Sequence, residues 1–221
     1  MNPLTVLRDA FHFFSRHLPS IAPLCLPLIA AECLARAVVV GLVDTDHSPA
    51  YELLVGLFFY PLYSAALILY LDARSDGHEP LKRNLLARAL QLWPSFALLV
   101  MLSSLLIMAG ISLFILPGIW VMTNLVFAEY LLVLQGRAPL VAMRESFQMV
   151  NGHFWQILLC MLGVMAPLWL FNGLTLALMP EQGSPVLELL INVFNSFLQL
   201  FSTVVLFRLF MLLRDMSTKQ P

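Results

Sequence analysis

The chain reads as an all-α polytopic membrane protein: six transmembrane helices forming three hairpins, each preceded by a cytoplasmic, interfacial amphipathic helix. Three observations predict this. First, its hydrophobic fraction is 60% and its charged fraction 11%, against about 45–50% and about 25% in soluble domains. So few charges cannot cover so much apolar surface, and the same balance excludes a disordered chain. Second, apolar runs long enough to cross a bilayer recur six times. Third, the basic residues fall on alternate connections between those runs. At roughly 20 residues per span, the six runs leave only short loops and helix ends. We therefore expect one transmembrane domain over 1–221, with no attached nucleotide-driven motor or catalytic module.

The first run, 18–41, carries Pro19, Pro23 and Pro27 on one face, which predicts bending and no chemistry. It is not a signal peptide: those prolines and Glu32 interrupt it, and the segment before it belongs to a repeat. Nor is Cys33 a lipid-modified cysteine, because Glu32 precedes it where a small residue is required. The second run is 53–71 and the third 94–116. The fourth, 118–135, meets the third at Leu116-Pro117-Gly118, where Pro stops a helix and Gly permits a tight turn. The fifth, 154–179, contains Gly163, Pro167 and Asn172-Gly173, which suit either a transporter's broken helix or an ordinary kink. The sixth is 186–213. Continuous runs of this length indicate helices rather than the alternating segments of a barrel. Cys25, Cys33 and Cys160 lie within apolar runs and read as small hydrophobes, so neither a disulfide framework nor a zinc site is expected.

Eleven of the twelve Lys and Arg residues fall in 1–17, 72–93, 136–153 and the C-terminal end. The connections 42–52, 116–118 and 180–185 carry none and contain Asp44, Asp46, Glu52 and Glu181. By the positive-inside rule, both termini are expected in the cytoplasm. The exception, Arg36, lies within the first run. Net charge is −1, which implies no nucleic-acid partner.

The segment from Pro3 to Phe11 recurs from Pro139 to Phe147: Pro, Leu, Arg and Phe are identical, with Asp9/Glu145 and Ala10/Ser146 similar. In the same register His17 falls on His153, and a weaker copy begins at Pro80-Leu81. Each copy precedes a pair of spans, giving repeat units of about 1–71, 80–135 and 139–213. Proline suits the first turn of a helix. Leu140, Met143, Phe147 and Val150 share one face, with Arg144, Glu145 and Gln148 elsewhere, as in helices that lie in the membrane interface. Buttressing the bundle is the reading favoured over lipid sensing.

Leu116-Pro117-Gly118-Ile119, then Gly136, Pro139-Leu140 and Met143-Arg144-Glu145-Ser146-Phe147, then Asn151-Gly152-His153-Phe154-Trp155, resemble the YciC family of bacterial inner-membrane proteins. Asn192, Asn195-Ser196 and the segment from Phe207 to Arg214 resemble that family's C-terminal helix. At greater distance the chain is similar to the membrane domain joined to some glycerophosphodiester phosphodiesterases. It departs from those relatives at Gln135, where they often have Glu, and in its short first external loop. The resemblance implies an inner-membrane location and a six-helix fold. It implies no catalytic residue.

Charges inside a bilayer need partners. Glu32 and Arg36, four apart with the acid first, are expected to form an intramembrane ion pair. Glu129 has no basic residue on its own run and is expected to be neutral, or bonded to amides of the last run. Asn192, Asn195, Gln199 and Ser202 share one face there, a stripe that serves as packing glue or as a cavity wall. Glu129, Asn124, Asn192, Asn195 and Gln199 are thus the candidate substrate or ion site. No catalytic residue, metal or cofactor is expected. HExxH, GxSxG and GxxxxGK[ST] do not occur, and Asp44-Thr45-Asp46-His47 reads as a solvated loop. His12, His17, His78 and His153 read as interfacial residues. The expected function is non-enzymatic support of envelope or lipid homeostasis, with membrane lipids and other membrane proteins as partners. The alternative is a small transporter or lipid-handling permease built on Glu129 and the last helix.

Overall fold

The computed structural model describes residues 3–42, 49–178 and 185–218, and the loops carrying Asp44, Asp46, His47 and Glu181, together with Lys219, lie outside them. The described residues form eight α-helices and no strand: α1 Pro3–Leu42, α2 Pro49–Ser75, α3 Lys82–Leu113, α4 Ile115–Leu125, α5 Ala128–Gln135, α6 Pro139–Val150, α7 Phe154–Leu178 and α8 Pro185–Thr218. Six stretches are long and apolar enough to cross a membrane: Leu7–Val39, Leu53–Ser75, Lys82–Leu113, Ile115–Gln135, Phe154–Thr175 and Leu189–Asp215. This is the build of a multi-pass helical membrane protein.

Two boundaries differ from the sequence expectation for physical reasons. The first and third spans begin earlier than expected, because α1 and α3 run unbroken from segments that carry charge, Arg8 and Asp9 in one and Lys82 and Arg83 in the other, into apolar helix. Lys82, Arg83 and Asn84 lower hydropathy there but are compatible with helix. Among the described residues, a separate short helix ahead of the span is found in the third unit alone, as α6. The reversal between α3 and α4 falls at the extended residue Phe114 (φ −163°, ψ 156°), two residues before Leu116-Pro117-Gly118. Pro117 and Gly118 instead lie in the opening turn of α4, where a missing N–H leaves no helical bond unmade. The glycines serve close approach here: a Cβ on Gly110 would stand 2.9 Å from the Gly118 Cα.

The core lies among α1, α2, α5 and α8, with Ile21, Ile29, Leu67, Leu71, Leu132 and Phe210 fully buried. α3, α4 and α7, with Phe114 between the first two, present Met108, Ile111, Leu116, Trp169 and Leu170 outward. An exposed apolar surface this extensive suits lipid, not water. On α6 the inward residues are Ala142, Met143, Ser146 and Val150, while Leu140 is 70% exposed. The packed face is therefore turned from the expected Leu140–Met143–Phe147–Val150 stripe, and it centres on a serine.

Candidate functional site

That serine explains the main irregularity of the fold. The fourth span is broken at Val126-Phe127, between α4 and α5. Thr123 and Asn124 prepare the break: their side chains bond back to the carbonyls of Ile119 and Trp120, each at 2.8 Å. Such back-bonding competes with helix continuation. Broken backbone at membrane depth must be satisfied by protein. Ser146 does this from α6. Its Oγ accepts the Phe127 N–H at 3.2 Å and donates to the Asn124 carbonyl at 2.6 Å. Both bonds are buried.

The break places Glu129 in the first turn of α5, where a helix favours negative charge. The Tyr60 hydroxyl of α2 lies 2.9 Å and 3.0 Å from its two carboxyl oxygens. Ser64 Oγ, one helical turn further along α2, donates to the same carboxyl at 3.4 Å. Phe96 of α3 closes the far side of Tyr60, with ring centroids 6.3 Å apart. The next residue, Tyr130, anchors α5 to α8: its hydroxyl donates to the Thr203 carbonyl at 3.0 Å and its ring stacks on Phe210 at 5.5 Å.

A second carboxyl adjoins the same face of α2. Arg36 donates to Glu32 at 2.6 Å, as the i,i+4 spacing anticipates. Glu32 is buried, and the Tyr63 side chain lies near it. Tyr60 and Tyr63 meet edge to face at 5.6 Å. Gly56, one turn earlier, leaves room for the guanidinium, since a Cβ there would stand 3.1 Å from Arg36 Nη2. Within nine residues α2 thus supplies Gly56, Tyr60, Tyr63 and Ser64 to two intramembrane acids from α1 and α5. A neutral hydroxyl donor suits a carboxyl at this depth, because it satisfies the oxygens without introducing a further charge.

The remaining candidates divide. Asn124 is buried and belongs to the helix break, not to the Glu129 carboxyl. Asn195 donates to Thr175 Oγ1 of α7 at 3.3 Å, and Asn192 and Gln199 are exposed. The structure therefore corrects the expected partners of Glu129: Tyr60 and Ser64 of α2 take the place of Asn192, Asn195 and Gln199, because α5 packs on α2 while the amide stripe borders α7. Tyr60, Tyr63, Ser64 and Ser146 were not foreseen. The first three carry a visible signal, being polar residues at i, i+3 and i+4 in an otherwise apolar run. No protein-family model matches the chain, and no solved structure matches it. Fold and site together define a multi-pass helical membrane protein with interhelical carboxyl–tyrosine contacts in its interior.

Proposed function

We propose that this is a non-enzymatic protein of the bacterial inner membrane, akin to the YciC family, supporting envelope or lipid homeostasis through membrane lipids and partner proteins. Both termini face the cytoplasm, and the spans pair as three hairpins introduced by interfacial segments. One observation supports a structural role over transport. The most isolated intramembrane acid, Glu129, is engaged by Tyr60 and Ser64 of a neighbouring helix, as packing glue requires. The one-sided distribution of Lys and Arg supports the orientation.

A second reading, a small transporter or lipid-handling permease, draws on the break in the fourth span directly beside Glu129. Interrupted helices border the substrate sites of many transporters. Substitution at Glu129 separates the two. In Glu129→Gln the amide oxygen still accepts from Tyr60, and the NH₂ can donate to Ser64 Oγ. We expect near-wild-type membrane abundance and near-wild-type rescue of a deletion phenotype for Glu129→Gln, with reduced abundance for Glu129→Leu. Normal abundance with lost rescue in Glu129→Gln would replace the scaffold by the permease, since an amide cannot carry the proton or cation that the permease needs.

A further inference from the structure

The basic residues of the three units differ in whether an acid stands beside them. Arg8 is followed by Asp9, and Arg137 pairs with Glu145 at 3.2 Å. Glu79, just ahead of the second unit, is already held by Arg74 at 2.7 Å. From Pro80 to Ala128 the chain then carries no Asp or Glu. Lys82, Arg83 and Arg88 fall in this stretch, at the opening of α3. All three are exposed, and none forms an ion pair with another described residue. Apolar side chains on the same turns are uncovered too. Leu90 is 63% and Leu86 37% exposed, while Leu85 and Ala89 are buried against the bundle. Leu86 and Leu90 follow Arg83 at i+3 and i+7, so one outward face of the helix runs from a cation to two leucines. Leu98, Met101 and Leu105 continue the outward apolar surface of α3.

That order, charge and then apolar surface, is the order of a phospholipid. A phosphate offers oxygens to Lys and Arg, and the chains below it cover leucine. A soluble anion would leave Leu86 and Leu90 facing water. A zwitterionic lipid brings a cation of its own to a place that holds three. Charge therefore favours a lipid with net negative charge, which basic segments next to a membrane helix attract. We propose that the opening of α3 is an anionic-phospholipid site, in which Lys82, Arg83 and Arg88 hold the headgroup while Leu86 and Leu90 lie along the acyl chains. This names a lipid class for the function proposed above, and it rests on that reading's placing of the segment at a membrane surface.

Local fluorescence quenching tests it. Cys25, Cys33 and Cys160 are buried, so Leu90→Cys takes a bimane label selectively. The labelled chain is placed in symmetric vesicles of phosphatidylcholine with a minor share of phosphatidylglycerol, one lipid or the other carrying bromine on its acyl chains. Phosphatidylglycerol should be preferred at the label by about fivefold, the gain expected from one basic residue near an anionic surface. Lys82→Gln, Arg83→Gln and Arg88→Gln together should abolish the preference. Added salt should lower it with the three basic residues intact, because exposed charges are screened. Met108→Cys, on the outward surface toward the other end of α3, should show none. Equal quenching by the two lipids at Leu90→Cys, a preference indifferent to salt, one that survives the triple substitution, or the same preference at Met108→Cys would each overturn the proposal. The salt series needs no change to the basic residues, so it decides even where the triple variant fails to fold. Symmetric vesicles report the preference whichever way the chain is inserted, so a reversed orientation in thiol labelling and a missing lipid preference are separate failures.

Discussion

Replacing Ser146 by alanine tests the local architecture most directly. Ser146 is fully buried, and its single hydroxyl serves both sides of the α4–α5 break, at 3.2 Å to the Phe127 N–H and 2.6 Å to the Asn124 carbonyl. Alanine removes one oxygen atom, so the cavity contribution is small. What remains is an orphaned donor and a carbonyl short of a partner. An unsatisfied buried group costs about 1–3 kcal/mol. Interhelical bonds in membranes average nearer 0.6 kcal/mol and reach about 1.7, because the unfolded chain in lipid also finds partners. Two bonds at intermediate values give about 2 kcal/mol, or roughly a thirtyfold loss in the folding equilibrium at 1.4 kcal/mol per tenfold.

A reversible unfolding titration in mixed micelles would read this. Trp120 fluorescence serves as a local reporter, since its ring lies 5.6 Å from Phe147 on α6. Ser146→Cys retains a weak donor and acceptor and should fall between alanine and wild type. Ser112→Ala removes an exposed hydroxyl that bonds only back to the Met108 carbonyl at 2.8 Å, and should change little. Equal stability of Ser146→Ala and wild type would refute the claim that α6 holds the break.

Three further outcomes are expected. Glu32→Ala and Arg36→Ala should each lower membrane abundance more than the double substitution does, because a lone charge is worse in lipid than none; additive losses would remove the pairing. Gly118→Val should disrupt the α3–α4 contact, since a side chain there meets Ile111, whereas Gly173→Ala has open space and should be tolerated; comparable abundance of the two in membranes would contradict the close approach. A cysteine at Ser48 should react with an impermeant thiol reagent in cells whose outer membrane has been permeabilised, and one at Ser75 should not; the reverse labelling would invert the orientation.

What the amino-acid sequence revealed depended on how local each feature is. The six apolar stretches were legible because hydropathy sums over neighbours along the chain. The Glu32–Arg36 pair was legible for the same reason, both residues sharing one turn of one helix. The break at Phe127 was not. Its apolar run is continuous, and the group that completes it lies 19 residues away on another helix. The partner of Glu129 is 69 residues distant. Periodicity places a side chain on a helix face but does not say which helix that face meets. The last-helix amide stripe shows this: its members share a face as expected, yet the face borders α7 and the outside, not Glu129.

The polar residues of the apolar helices thus sort by where their partners lie, and the sorting has an energetic basis. Glu32, Glu129 and Asn124 face inward and meet partners within this chain: Arg36, Tyr60 with Ser64, and Ser146. The first holds two turns of α1 together, and the others join α2 to α5 and α4 to α6. In lipid, a bundle gains little from burying apolar surface, because acyl chains are as apolar as leucine. Directional bonds between helices, together with close packing, must then determine which helix sits beside which. On this account Glu129 helps to specify the arrangement, because α2 offers it uncharged hydroxyl donors from Tyr60 and Ser64. The amides of Asn172, Asn192 and Gln199 lie on the exposed side of α7 and α8 instead.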